Sequence, residues 1–133
     1  NGDLYTGMFS NNEYSGRGIL RKFDGVVYTG SFKNGKFEGY GVLKEVDGSI
    51  YSGEFSLGFP HGAGVQSDNS GVTYSGSWVE GEKDGYGTLD FGDGTNYTGQ
   101  FKKGLASEGV YDWGDGIQTE SYQDENGIWL DRK

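Results

Sequence analysis

The 133-residue chain contains no cysteine, which excludes disulfides, thiolate metal centres and cysteine nucleophiles. Histidine occurs once, at His61, and proline once, at Pro60. A lone imidazole needs at least two more strong ligands to make a zinc site, and no Gly-x-Ser-x-Gly frames a serine that could act as its nucleophile. Long hydrophobic runs are also missing. Nothing approaches the ~18 apolar residues of a membrane span, and no signal peptide is visible, so a cytoplasmic protein is expected. Leu, Ile, Val and Phe together number only 27, near the low end for a globular core.

Positive charge is scarce too. Eleven Lys and Arg face 20 Asp and Glu, for a net charge of −9. The imbalance is local: residues 1–50 carry six of each sign, whereas residues 51–119 carry three basic against ten acidic side chains. An acidic chain repels phosphate backbones and anionic headgroups. Nucleic acid is excluded as a partner, phospholipid is disfavoured, and a basic protein or peptide segment fits better.

What the chain does have is glycine, 27 residues of it, and an aromatic content of 16% that a disordered polymer would not carry. Both are periodic. Tyr5, Tyr28, Tyr51, Tyr74 and Tyr97 recur every 23 residues. Each opens a Tyr-x-Gly-x-aromatic unit: YTGMF, YTGSF, YSGEF, YSGSW and YTGQF. Glycines follow at fixed offsets, as Gly39, Gly41 and Gly48 do after Tyr28, and Gly35, Gly58, Gly81 and Gly104 mark the same place in copies two to five. Scattered linker glycines would show no such register. Copy five lacks one residue between Gly104 and Gly109. The units are 5–27, 28–50, 51–73, 74–96 and 97–118, with 1–4 as the end of a preceding partial repeat and 119–133 as a degenerate half-repeat or C-terminal cap.

Within each copy the period is two, which means strands. Tyr28, Gly30 and Phe32 share one face, as do Gly39, Gly41 and Leu43 further on. The KNGKFEG between these runs and the following Asp-Gly read as turns. Each copy is therefore a β-hairpin, and the strand glycines Gly30, Gly39 and Gly41 are expected under aromatic rings that cover bare backbone. The expected fold is all-β: consecutive hairpins in one antiparallel sheet, stabilised by nearest-neighbour stacking.

These residues resemble the MORN (membrane occupation and recognition nexus) repeat, whose pattern is Tyr-x-Gly-x-aromatic, then Gly-x-Gly and Asp-Gly at a 23-residue period. The resemblance covers residues 1–118. Departures are Asn12 at a glycine place, Gln66 and Asn69 in copy three, and the deletion in copy five. From these a looser second strand in copy three and a tilted last hairpin are expected. The resemblance implies a single-layer, twisted β-sheet solenoid with no catalytic machinery and no cofactor. Members of the family have been tied to cytoskeletal scaffolds, membrane association, phospholipids, dimerisation and the binding of a partner helix along a groove.

Other chemistry finds little footing. Asp90/Asp93 and Asp112/Asp115 lack the alternating carboxylates of a calcium loop, and Phe101 and Gln123 stand where its last ligand would be. No Gly-Lys-Ser/Thr follows the glycines, so they form no phosphate loop. Because the registered positions build the sheet, function is sought in what varies. On the ladder face Tyr28, Phe32, Tyr51, Phe55, Tyr74 and Trp78 are candidates to line a binding groove. Phe37 and Phe59, with Tyr14, are expected at hairpin tips, and Tyr40 and Tyr86 on the opposite face. The expected function is a non-enzymatic scaffold that binds a helix or basic segment of a partner protein. The alternatives are a phospholipid-surface module, drawing on Arg17, Arg21, Lys22, Lys33 and Lys36, and an array that dimerises through its sheet ends or spaces an appended domain.

Overall fold

A computed structural model describes residues 2–132. Its strands are β1 (Leu4–Ser10), β2 (Glu13–Arg21), β3 (Val27–Lys33), β4 (Lys36–Lys44), β5 (Ile50–Ser56), β6 (Phe59–Ser67), β7 (Thr73–Val79), β8 (Glu82–Asp90), β9 (Asn96–Lys102), β10 (Leu105–Asp112), β11 (Gln118–Gln123) and β12 (Trp129–Asp131). They form one open antiparallel sheet in strict chain order, with no crossover. The fold is the all-β hairpin solenoid expected from the repeat.

Both turns of each unit are encoded locally. Asn34 and Gly35 take positive φ, 51° and 79°, the backbone of a two-residue hairpin turn whose twist matches its strands. Lys33 pairs with Lys36 directly across it. The turn is thus two residues long, and the segment 36–38, expected in a loop, belongs to β4. The Gly35 N–H also donates to the Tyr14 carbonyl of the preceding repeat at 3.1 Å, as Gly58 does to Phe37 and Gly81 to Pro60. This glycine therefore locks neighbouring hairpins together. The connecting turns between hairpins are closed by aspartates that accept from the backbone two residues on, as Asp47 does from the Ser49 N–H at 2.9 Å.

A seam of glycines crosses the sheet, from Gly7↔Gly18 through Gly30↔Gly41, Gly41↔Gly53 and onward to Gly99↔Gly109. The ring of Tyr28 lies on it, and a Cβ at Gly30 would come 2.5 Å from the Gly41 Cα and 2.8 Å from the Tyr28 hydroxyl. Gly39, expected under a ring as well, does a different job. It sits in a β-bulge where three β4 residues, 38–40, face Ser31 alone. Its φ is +84°, and an added Cβ would meet only the Ser31 side chain, at 3.5 Å.

The bulge bends the sheet. It curls the hairpin-turn side of each repeat over the ladder face, making a trough. In copy five the missing residue is taken from this bulge: Phe101 pairs with Ala106 and Gln100 with Glu108, leaving Ser107 as the single extra residue. The Gly99↔Gly109 register is preserved, so the deletion shortens the bulge where a tilted hairpin was expected. Nor is copy three loose, since β6 runs the same nine residues as β4 and β8.

Candidate interaction site

A continuous edge-to-face aromatic row forms the floor of the trough. Ring centroids lie 5.0 Å apart for Tyr28–Phe32, 5.1 Å for Tyr28–Phe55, 5.0 Å for Tyr51–Phe55, 5.2 Å for Tyr51–Trp78 and 5.2 Å for Tyr74–Trp78. Such pairs favour perpendicular rings because the positive edge of one meets the negative face of the next. Each tyrosine hydroxyl donates to the carbonyl three residues on: Tyr28 to Ser31 at 2.8 Å, Tyr51 to Glu54 at 2.7 Å, Tyr74 to Ser77 at 2.9 Å. Burial pushes the phenols of Tyr28, Tyr51 and Tyr74 up to about 12.

This row is the protein's own core. Tyr28, Phe32, Tyr51, Phe55, Tyr74 and Trp78 are only 1–4% exposed, so the six residues expected to line an open groove have almost no surface to offer. A single layer buries them because the trough's turn-side wall folds over them. The residue that does the covering varies by copy. Tyr14 stacks on Tyr5 at 3.9 Å and Phe37 on Tyr28 at 3.8 Å. At the same place Lys83 holds its ammonium 5.6 Å from the Tyr74 ring centre and 5.9 Å from that of Trp78, a cation–π arrangement. Burial lowers the Lys83 pKa, and the Asp68 carboxylate opposes that shift. Phe37, expected at a hairpin tip, is therefore a strand residue capping a buried tyrosine.

Where copy five has only Ala106, Trp129 of β12 swings in. Its ring centre lies 5.1 Å from Tyr97 and 5.2 Å from Tyr111, so the C-terminal end of the trough is filled from within.

The N-terminal half of the trough is open. A notch of about 400 Å³ is lined by Leu20 and Lys22 on one wall and by Gly35, Lys36, Phe37, Leu57, Gly58 and Phe59 on the other. Phe59 is 54% exposed and Leu57 67% exposed. Leu57 also occupies the first place of its hairpin turn with φ +53°, where the two preceding copies have Asn11 and Asn34. Left-handed backbone disfavours leucine and tolerates asparagine. An apolar, exposed side chain thus stands where local preference and solvation both oppose it, a combination associated with function. In the sequence Leu57 is a lone apolar residue in a turn, and single exposed leucines are ordinary on protein surfaces. What marks it is polarity: among Asn11, Asn34, Leu57, Glu80 and Lys103, which share this turn place at φ of 49–53°, Leu57 alone is apolar.

On the back of the sheet Tyr40 is 65% and Tyr86 59% exposed. They are two full repeats apart, with Ala63 at the intervening position. Tyr40 borders a shallow hollow with Arg17, Thr29, Val42 and Ser52. The aliphatic residues of this face alternate with hydroxyls across the strands, as Ile19↔Thr29, Thr29↔Val42 and Val42↔Ser52. They form no apolar strip.

The candidates for metal or acid–base chemistry are structural. Asp90, Asp93, Asp112 and Asp115 each accept from a backbone N–H of their own turn, at 2.8–3.1 Å. The His61 Nδ1 accepts from the Glu80 N–H of the next hairpin turn at 3.3 Å. Among the described residues, no cluster of three or more His, Cys, Asp or Glu side chains is placed to hold a metal ion.

The MORN repeat family matches the chain five times, over residues 5–27, 28–50, 51–73, 74–96 and 97–118. The chain belongs to the MORN repeat family. No curated protein matches it in sequence. MORN repeats are non-catalytic modules that generally mediate protein or membrane interactions, and this MORN array offers the trough, the back face and the sheet edges at β1 and β12.

Proposed function

We propose that this MORN array is a non-enzymatic scaffold that binds a helical segment of a partner protein in the open, N-terminal half of its trough. The observation that carries this reading is the notch itself: Leu57 and Phe59 are exposed beside Phe37 and Leu20, and Leu57 is held in a conformation its side chain disfavours. Clustered apolar anchors in a concave site are the usual source of interface affinity. The partner reads the mouth of the trough and not the buried aromatic floor. A lipid-surface role has less support, because the basic residues do not share one face. Arg17 lines the hollow on the back of the sheet, whereas Lys22 and Lys36 line the notch.

Photo-crosslinking in cells tests the site. A benzophenone side chain at Phe59 should give discrete protein adducts, and the same group at Tyr86 should not. Identical adducts from both positions, or adducts from Tyr86 alone, would move the function to the back of the sheet.

A further inference from the structure

After copy five the Tyr-x-Gly-x-aromatic register continues as Thr119-x-Ser121-x-Gln123. Both core rings of the unit are thus replaced by small or polar side chains over β11. A cleft of about 350 Å³ lies there, lined by Tyr111, Trp113, Ser121, Trp129, Leu130 and Asp131. Two of its three rings stand where copies one to three need none. Tyr111 holds the place of Leu20, Leu43, Gln66 and Leu89, and Trp113 that of Lys22, Glu45, Asp68 and Phe91. Tyr111 touches both indoles, its ring centre 4.5 Å from that of Trp113 and 5.2 Å from that of Trp129. Trp113 is 47% exposed, yet its orientation is fixed. Its Nε1–H donates to the hydroxyl of Thr119, the residue in the tyrosine's place, at 3.1 Å. On β12 the Asp131 carboxylate accepts from the buried Ser121 hydroxyl at 3.3 Å, so an anion is held beside the rings.

The surroundings carry the same sign. Residues 105–133 hold seven Asp or Glu against two Lys or Arg. Arg132 is committed to the back of the sheet, where it lines a hollow with Glu108 and Glu120 and lies 4.6 Å from the centre of the Tyr122 ring. Aromatic rings beside a carboxylate attract a cation, and methylated ammonium groups are the cations such cages suit. Methylation leaves lysine its charge and exchanges N–H donors, which need acceptors, for methyl groups, which need apolar surface. The three rings and Leu130 supply that surface, and Asp131 the countercharge. We propose that this cleft binds a methylated lysine of a basic protein segment, its ammonium set among Tyr111, Trp113 and Trp129 and balanced by Asp131. A phosphocholine headgroup carries a similar cation beside a phosphate, which the acidic surroundings disfavour. The site lies at the far end of the trough from the notch and stands independently of it.

Isothermal titration of the chain with three short peptides tests it. They share one basic sequence and differ at a single side chain: trimethyllysine, unmodified lysine, or an uncharged isostere with tert-butyl for the trimethylammonium. The trimethyllysine peptide should bind about tenfold tighter than either of the others. Trp113→Ala should abolish that preference, whereas Trp113→Phe, which keeps a ring, should retain part of it. Asp131→Asn should weaken trimethyllysine binding about fivefold, and Leu57→Asn, in the notch, should change nothing. Of the three indole N–H resonances, those of Trp113 and Trp129 should shift on binding and that of Trp78 should not. Equal binding of trimethyllysine and its isostere would overturn the cationic ligand, and equal binding of trimethyllysine and lysine would overturn methylation. Affinity untouched by Trp113→Ala, or no binding of the trimethyllysine peptide, would overturn the site. Attachment to phosphatidylcholine vesicles that Trp113→Ala abolishes, without peptide binding, would assign the cleft to a lipid headgroup instead. Circular dichroism of the variants confirms their fold.

Discussion

The ring of Tyr28 lies against the backbone of Gly41, and its hydroxyl reaches the Ser31 carbonyl at 2.8 Å. The same tyrosine–glycine contact joins Tyr51 to Gly64 and Tyr74 to Gly87. A methyl at Gly41 would enter the space of the phenol, so Gly41→Ala should destabilise the protein by about 3 kcal/mol. Tyr28→Ala should cost about 4 kcal/mol through lost ring contacts. In the double variant no ring remains to clash, and the loss should fall short of the sum by at least about 1 kcal/mol. Urea unfolding of the four proteins measures this. Simple additivity would mean that the glycine serves backbone conformation and not the ring.

Alkaline pH probes the same row. An unfolded tyrosine ionises near pH ~10, whereas Tyr28, Tyr51 and Tyr74 are pushed up to about 12 by burial. The fold favours the neutral phenol, so their contribution is whole below pH ~10 and is lost as pH rises from about 10 to about 12. Three such groups make stability fall by at most about 4 kcal/mol per pH unit in that window. Urea midpoints should therefore be flat up to about pH 9.5 and then drop, with tyrosinate absorbance rising together with unfolding. Tyrosinate formation in the folded protein near pH ~10 by all its tyrosines would contradict the burial of the row.

The architecture was legible because its determinants are local and repeated five times. A positive-φ turn such as Asn34-Gly35 and a strand pattern such as Tyr28-x-Gly30-x-Phe32 each act within a few residues. Depth was not legible. A period of two says that Tyr28 and Phe32 share a face, but not that a bulge at Gly39 curls Phe37 over them. The six ladder rings consequently read as a groove when they are a core. Phe59, Tyr40 and Tyr86 did emerge exposed, since they occupy positions the repeat leaves free. Lys22 and Lys36 were visible only as scattered charge, because their meeting across the notch depends on the same bend.

Leu57 separates stability from binding. Its φ of +53° suits the Asn found at the same turn position in copies one and two, and left-handed leucine costs about 1 kcal/mol or more. Leu57→Asn should therefore stabilise the protein by about 1 kcal/mol while weakening the partner, the trade expected of a residue kept for contact. A thermal melt and the yield of protein adducts from a benzophenone at Phe59 report the two effects separately. Stabilisation without loss of affinity would make Leu57 a mere exception to turn preference.

Trp129 closes the trough over copy five, where Ala106 leaves the Tyr97 ring uncovered. It also touches Phe91 at 6.0 Å and Tyr111 at 5.2 Å between ring centres, so one side chain ties β12 to two repeats. Around it, the Gln123 carboxamide oxygen accepts from the Ala106 N–H at 2.9 Å, and the Arg132 guanidinium donates to the Ser107 carbonyl at 3.1 Å. These contacts gather at the shortened bulge, so the tail compensates for the residue that copy five lacks. Trp129→Ala should cost about 3 kcal/mol. In an array coupled through nearest neighbours the damage should stay near its source. Amide hydrogen exchange should accelerate in β9 to β12 and stay unchanged in β1 to β4. Uniform acceleration along the whole chain would show instead that the sheet opens as one cooperative unit, with Trp129 holding all of it.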